Sequence, residues 1–163
     1  MANNEDAQPV QMSTPDPALR RLEKLVGTWR ITGRTPDSQD DNIGGWVTIE
    51  WLPGGFFLQQ RGEIAFMGLK IQSLEIVGYD PSTETFPSYV YSNMDGVPLR
   101  YQWDVQGNLV THWTEGSKYT GTFSEDGNIL SGGWRPEEGK ESPENVAYDA
   151  IMTRVDGESC RHM

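Results

Sequence analysis

His112 is the one imidazole of this 163-residue chain that a fold can bury, because the only other histidine, His162, is the penultimate residue. Buried, it can hydrogen-bond a ligand, bind iron through a neutral ring nitrogen or carry a proton near neutral pH. Glu75 is the second candidate. Desolvation raises the pKa of a carboxyl group in an apolar cavity and suits it to general acid or base work. With His112 or Tyr101, Glu75 could enolise or isomerise a bound carbonyl compound. Trp51, Tyr101, Trp103, Tyr119, Trp134 and Tyr148 offer flat faces for a planar ligand, with hydroxyl or indole donors at their edges, and Gln60 adds an amide. Each has a plainer reading. His112 could be a core imidazole satisfied by Tyr101 or a threonine, Glu75 could sit at a rim, and the aromatics could simply fill a core.

Other chemistries lack their residues. Thirteen Lys and Arg against 24 Asp and Glu leave a net charge of −11, which disfavours nucleic-acid backbones and anionic membranes. The single Cys160 permits neither an internal disulfide nor a cysteine-rich zinc site. The run Asp37, Asp40, Asp41, Asn42 lacks the glycine and terminal glutamate of a calcium loop, and no metal site is expected. No phosphate-binding loop, dinucleotide fingerprint, zinc-protease motif or hydrolase elbow occurs. The acidic start has no apolar core of the kind a secretory signal needs, and no apolar run is long enough to span a bilayer. The expectation is a cytoplasmic protein without nucleic-acid or membrane partners.

The elements that would position these side chains read as follows. Residues 1–14 are polar and aperiodic, a disordered lead. Asp16 caps a short helix, Pro17 fits its first turn, Leu19, Leu22, Leu25 and Val26 form its apolar face, and Gly27 stops it. From Thr28 to Val155 the period changes to two, with β-branched and aromatic residues broken by Gly, Asn, Asp and Pro. About ten strands result, joined as a meander with turns expected at Pro53-Gly54, Met67-Gly68, Asp80-Pro81, Asp95-Gly96, Gln106-Gly107, Gly116-Ser117 and Asp126-Gly127. Residues 35–45 and 136–145 are longer connections, and 156–163 a disordered tail. So many sequential strands leave open edges unless the sheet closes, so residues 15–155 are expected to form one all-β, up-and-down antiparallel barrel. A barrel of that size has room for a ligand.

Two-residue turns keep directly paired residues on one face. Carried from strand to strand, this places Phe123 opposite Leu130, Gly121 opposite Gly132 and Tyr119 opposite Trp134. The same face continues through His112 and Val110 to Trp103 and Tyr101. Earlier strands contribute Val47, Ile49, Trp51, Phe56, Leu58, Gln60, Ile64 and Phe66, then Ile71, Ser73, Glu75 and Val77. Most charged residues go to water. Glu75 is the exception, and with Gln60, Ser73, Ser88, Tyr101, His112 and Tyr119 it makes the interior more polar than a self-filled core requires.

Gly27-Thr28-Trp29, directly after the helix, resembles the Gly-x-Trp opening of the lipocalin/calycin group. That resemblance implies a tryptophan packed at the closed end of the barrel with a basic residue of the last strand across it, here Trp29 and Arg154. Leu22 to Trp29, Leu52-Pro53-Gly54-Gly55-Phe56, Gly78-Tyr79-Asp80-Pro81 and the final strand Tyr148 to Val155 are closest to a bacterial lipocalin-like family of unknown function. More distantly, the chain is similar to the haem-binding nitrobindin-type barrels. These hold iron by a histidine near the C-terminal end, where Val146 to Val155 has none, so haem would have to use His112.

The leading expectation is therefore binding of a small hydrophobic or aromatic molecule inside the barrel, without a cofactor. The alternatives are an isomerase, cyclase or lyase using Glu75 or His112, a haem barrel, and a filled barrel that assembles, for instance as a homodimer, through outward-facing Trp46 and Trp113.

Overall fold

A computed structural model describes residues 12–155; the expected tail and all but the last three residues of the expected lead lie outside that range. The leucines at 19, 22 and 25 recur every third residue, which is the period of a 3₁₀ helix. Pro17–Leu25 forms one, with all three leucines buried. Asp16 caps it by accepting from Ala18 N at 2.9 Å.

Ten strands follow: β1 (Gly27–Arg34), β2 (Ile43–Trp51), β3 (Leu58–Phe66), β4 (Leu69–Val77), β5 (Phe86–Ser92), β6 (Asp95–Gln106), β7 (Leu109–Thr114), β8 (Ser117–Phe123), β9 (Ile129–Pro136) and β10 (Tyr148–Val155). Each pairs antiparallel with its neighbours in sequence, and β1 pairs with β10 from Thr28↔Val155 to Arg34↔Asp149, closing an up-and-down barrel. Closure leaves no sheet edge.

The expected register across Met67-Gly68 and Asp126-Gly127 is observed. Three other turns sit elsewhere. Asn93-Met94, Gly107-Asn108 and Glu115-Gly116 are the turn residues, not Asp95-Gly96, Gln106-Gly107 and Gly116-Ser117. Between β2 and β3 the chain needs the whole of Leu52–Phe57, which keeps Phe56 out of the strand. Each displacement changes the pairing by an even number of residues, so no side chain changes face.

The helix caps one end of the barrel. Arg21 Nε donates to Val105 O at 3.1 Å and Lys24 Nζ to Gly107 O at 2.9 Å. Beneath the helix, Trp29 is completely buried and its Nε1 donates to Leu25 O at 2.9 Å. The Arg154 guanidinium lies 4.2 Å above the Trp29 ring and donates to the carbonyls of Lys24, Val26 and Gly127. A planar cation that stacks and forks to carbonyls at once suits arginine better than lysine. Among the described residues the opposite end carries no helix, and the connection between β9 and β10 runs beside it.

Candidate functional site: an aromatic ramp ending on a buried Glu–His pair

Paired residues share a face, so the registers of six successive strands can be followed as one line: Phe86↔Trp103↔His112↔Tyr119↔Trp134↔Tyr148, from β5 to β10. All six are rings. Strand tilt turns this line into a ramp inside the barrel, and burial follows it. Phe86, Trp103, His112 and Tyr119 are buried, while Trp134 and Tyr148 are only half-buried toward the uncapped mouth.

Glu75 projects from β4 to the lower part of the ramp and is 3% exposed. Its Oε2 accepts from Ser88 Oγ at 2.6 Å and Trp103 Nε1 at 2.7 Å, and lies 3.0 Å from His112 Nε2. Burial alone would drive the Glu75 pKa up, but the charge and hydrogen bond of His112, with the bonds from Ser88 and Trp103, outweigh it and hold the carboxyl below its ordinary range. This corrects the expectation of a raised Glu75, which counted desolvation and no donors. The ionised carboxylate only accepts, so His112 Nε2 carries the hydrogen and, in the neutral ring, Nδ1 carries the lone pair. Trp103 stacks on the imidazole at 3.7 Å between centroids, Tyr101 lies at 4.9 Å and Trp134 meets it edge-on at 5.2 Å.

Among the described residues, the side-chain nitrogens and oxygens that are both sealed from solvent and unpartnered are Gln102 Oε1 and the Tyr119 hydroxyl. Glu75 Oε1 and His112 Nδ1 make no hydrogen bond among the described residues and are not in that sealed set. The Tyr119 ring lies along the wall over Gly121, where an added Cβ would collide with the phenol oxygen. Gly121 pairs with Gly132, and this missing side-chain volume is what seats the phenol. Burial raises the pKa of Tyr101, Tyr119 and Tyr148 alike; Glu75 adds to the effect at Tyr101, and the other two phenols add to it at Tyr148. All three therefore stay protonated as hydrogen-bond donors at neutral pH.

Above them the barrel is hollow. A cavity of about 1070 Å³ opens at the mouth: Phe66, Tyr101, Trp134 and Tyr148 line it from the inner face, and it spreads over the rim, where outward-facing Arg100, Gln102 and Trp113 and the connection carrying Lys140, Glu144 and Asn145 border it. Ile64, Ile71, Ser73 and Gln60 face inward by register yet remain half-exposed, as side chains lining an accessible interior do. Asn145 Nδ2 donates to Gly116 O at 3.0 Å and Lys140 O at 2.9 Å, which fixes the β9–β10 connection against the β7–β8 turn.

Of the residues singled out in the sequence, Glu75, Trp103 and His112 form one hydrogen-bonded and stacked cluster. Tyr101, Trp134 and Tyr148 line the cavity above it, and Tyr119 and Gln60 adjoin His112 and Glu75 in register. Trp51 is elsewhere, at the capped end, its Nε1 donating to Glu23 Oε2 at 2.7 Å. Ser88 was legible only as an interior polar residue; its register partner Tyr101 was the signal that it belongs here. Phe66, an expected inward residue, closes the mouth edge-on against Tyr148 at 5.1 Å. His112 Nε2 is held by Glu75 and one ring face by Trp103, which leaves Nδ1 as its one ring nitrogen without a hydrogen bond among the described residues. Among the described residues no group of three or more His, Cys, Asp or Glu could hold a metal ion, and no helix is long and apolar enough to cross a membrane.

No curated protein matches the chain. A family model, that of the protein of unknown function DUF1579, matches residues 14–159. That match spans the helix and all ten strands, and the chain therefore belongs to the DUF1579 family.

Proposed function

We propose that this protein binds a small, planar, largely apolar molecule in the barrel hollow, in the manner of lipocalin-like barrels. The observation that carries this reading is the open cavity of about 1070 Å³ walled by Phe66, Tyr101, Trp134 and Tyr148. Aromatic rings on the inner face offer apolar contact while polar side chains such as Arg100, Gln102 and Lys140 gather at the rim, and the volume, which includes that rim, slightly exceeds the ordinary small-molecule range of about 300–1,000 Å³. The ligand's ring system stacks among Trp134, Tyr148 and Phe66, and its polar edge turns down toward the Tyr101 hydroxyl and His112. Glu75 is an anion below that floor, so a second negative charge is repelled in a medium that screens poorly. Neutral ligands are favoured over carboxylates of the same shape.

The test is a fluorescence titration with a panel of neutral planar aromatics and their carboxylate analogues. Saturable quenching by neutral members is expected. Trp134→Ala should weaken binding roughly 10-fold or more, about 1.4 kcal/mol. Absence of quenching across the panel, or equal affinity for the carboxylates, contradicts the reading.

A further inference from the structure

We infer that His112 is a general base and that the hollow supports proton transfer from carbon on a bound neutral carbonyl compound, with Tyr101 as the hydrogen-bond donor to the oxygen that gains charge and Glu75 as the positioning residue. This rests on the binding mode proposed above and adds a chemistry to it.

The geometry has the parts such a step needs. Glu75 Oε2 engages His112 Nε2 at 3.0 Å and is itself held by Ser88 and Trp103, so neither the tautomer nor the tilt of the ring is free to change. Nδ1 is left without a hydrogen bond among the described residues and is not one of the sealed atoms. Tyr101 and Trp134 both line the mouth cavity and pack against the imidazole, and of the two Tyr101 carries the hydroxyl. In the proposed complex the Tyr101 phenol meets a ligand oxygen while the ligand's adjacent carbon faces Nδ1. The titratable groups around His112 are Glu75 from β4, Tyr101 from β6 and Tyr119 from β8, and of these only Glu75 is ionised at neutral pH. An imidazolium formed at His112 is thus stabilised by one buried anion, as in other carboxylate–histidine pairs.

The step balances without a further reactant. Nδ1 takes the proton from the carbon next to the carbonyl, the C–H electron pair becomes the C=C bond of the enolate, and the carbonyl π pair moves to oxygen, which accepts from Tyr101. The proton returns from Nδ1 to the same carbon or to another carbon of the conjugated system. The net reaction is hydrogen exchange or a double-bond shift. A neutral, apolar ketone with an acidic α C–H is the substrate class.

A planar probe of the same type tests this. In nitrobenzisoxazole the base removes the ring C–H proton, the C–H pair completes a nitrile, and the N–O bond breaks to leave a coloured phenolate. The intact protein is expected to turn it over at least roughly 100-fold faster than free imidazole at equal concentration. His112→Ala should remove that advantage, and added imidazole should restore part of it, which a merely structural role would not allow. Tyr101→Phe should lower kcat more than it raises KM. Glu75→Gln should displace the pH profile. Indazole, which has the shape but no reacting bond, reports binding separately by fluorescence quenching. Binding of indazole without turnover of the probe overturns the proposal and leaves the binding reading intact, whereas no binding of either overturns both. Turnover that survives in a folded His112→Ala variant also overturns it.

Discussion

Replacing Glu75 with leucine is expected to cost about 3–5 kcal/mol of folding stability, the range for breaking a buried charged pair from one side. The loss comes less from the carboxylate than from what it leaves behind. Ser88, Trp103 and His112 all direct donors at Oε2, and a buried donor without an acceptor costs about 1–3 kcal/mol. Adding His112→Phe to Glu75→Leu should recover part of the loss, because an apolar pair of similar volume needs no acceptor. Urea unfolding of the two variants measures both quantities, and a single-variant loss below about 1 kcal/mol contradicts the network. The same carboxylate sets a pH dependence. Its pKa is lower folded than unfolded, so its contribution is complete above the unfolded value of about 4.3 and is lost as pH falls through the folded value. The stability gap between the intact protein and Glu75→Leu should therefore narrow in acid below about pH 4.

Trp29→Ala should produce a loss of similar size, about 3–5 kcal/mol, as for other large-to-small changes of a buried aromatic. The ring is 0% exposed, carries the Arg154 guanidinium on its face at 4.2 Å and donates to Leu25 O. Its removal opens a cavity under the helix and withdraws the surface on which Arg154 rests while bonding three carbonyls. For a domain of this size the melting temperature should fall by roughly 10 °C. Arg154→Met, which keeps apolar volume over the indole, should cost less. Equal losses in the two variants would assign the stabilisation to the guanidinium bonds instead of the packed ring.

The closed barrel and its inner face were legible because both rest on a period of two. Asn93-Met94 carries the turn that Asp95-Gly96 was expected to make, and the β5–β6 ladder shifts register between Val90 and Ser92, yet Tyr101 and Trp103 still point inward, since displacements by pairs preserve the face. The helix was legible as an apolar stripe, and its 3₁₀ winding lay in the three-residue leucine spacing. The convergence of Glu75 with Ser88, Trp103 and His112 was not legible. These residues are 13, 28 and 37 positions from Glu75, and whether their side chains meet depends on strand tilt and on how far each chain reaches across the barrel, neither of which alternation encodes. The direction of the Glu75 pKa was missed for the same reason: without its donors in view, only burial could be counted. Nor does the polar run 137–147 carry a pattern that places Lys140 and Asn145 at the mouth. Asn145 does so through its amide, bonding the β7–β8 turn.

Nitrogen NMR of the imidazole of His112 tests the ionised pair at the base of the hollow most directly, in a chain with only two histidines to assign. The hydrogen should reside on Nε2 in the neutral ring, with Nδ1 bare and responsive to ligand, and the Glu75 carboxyl should be ionised at neutral pH. A proton on Nδ1 with Nε2 bare, or a Glu75 carboxyl still protonated at pH 7, would contradict the pair and the base chemistry inferred from it.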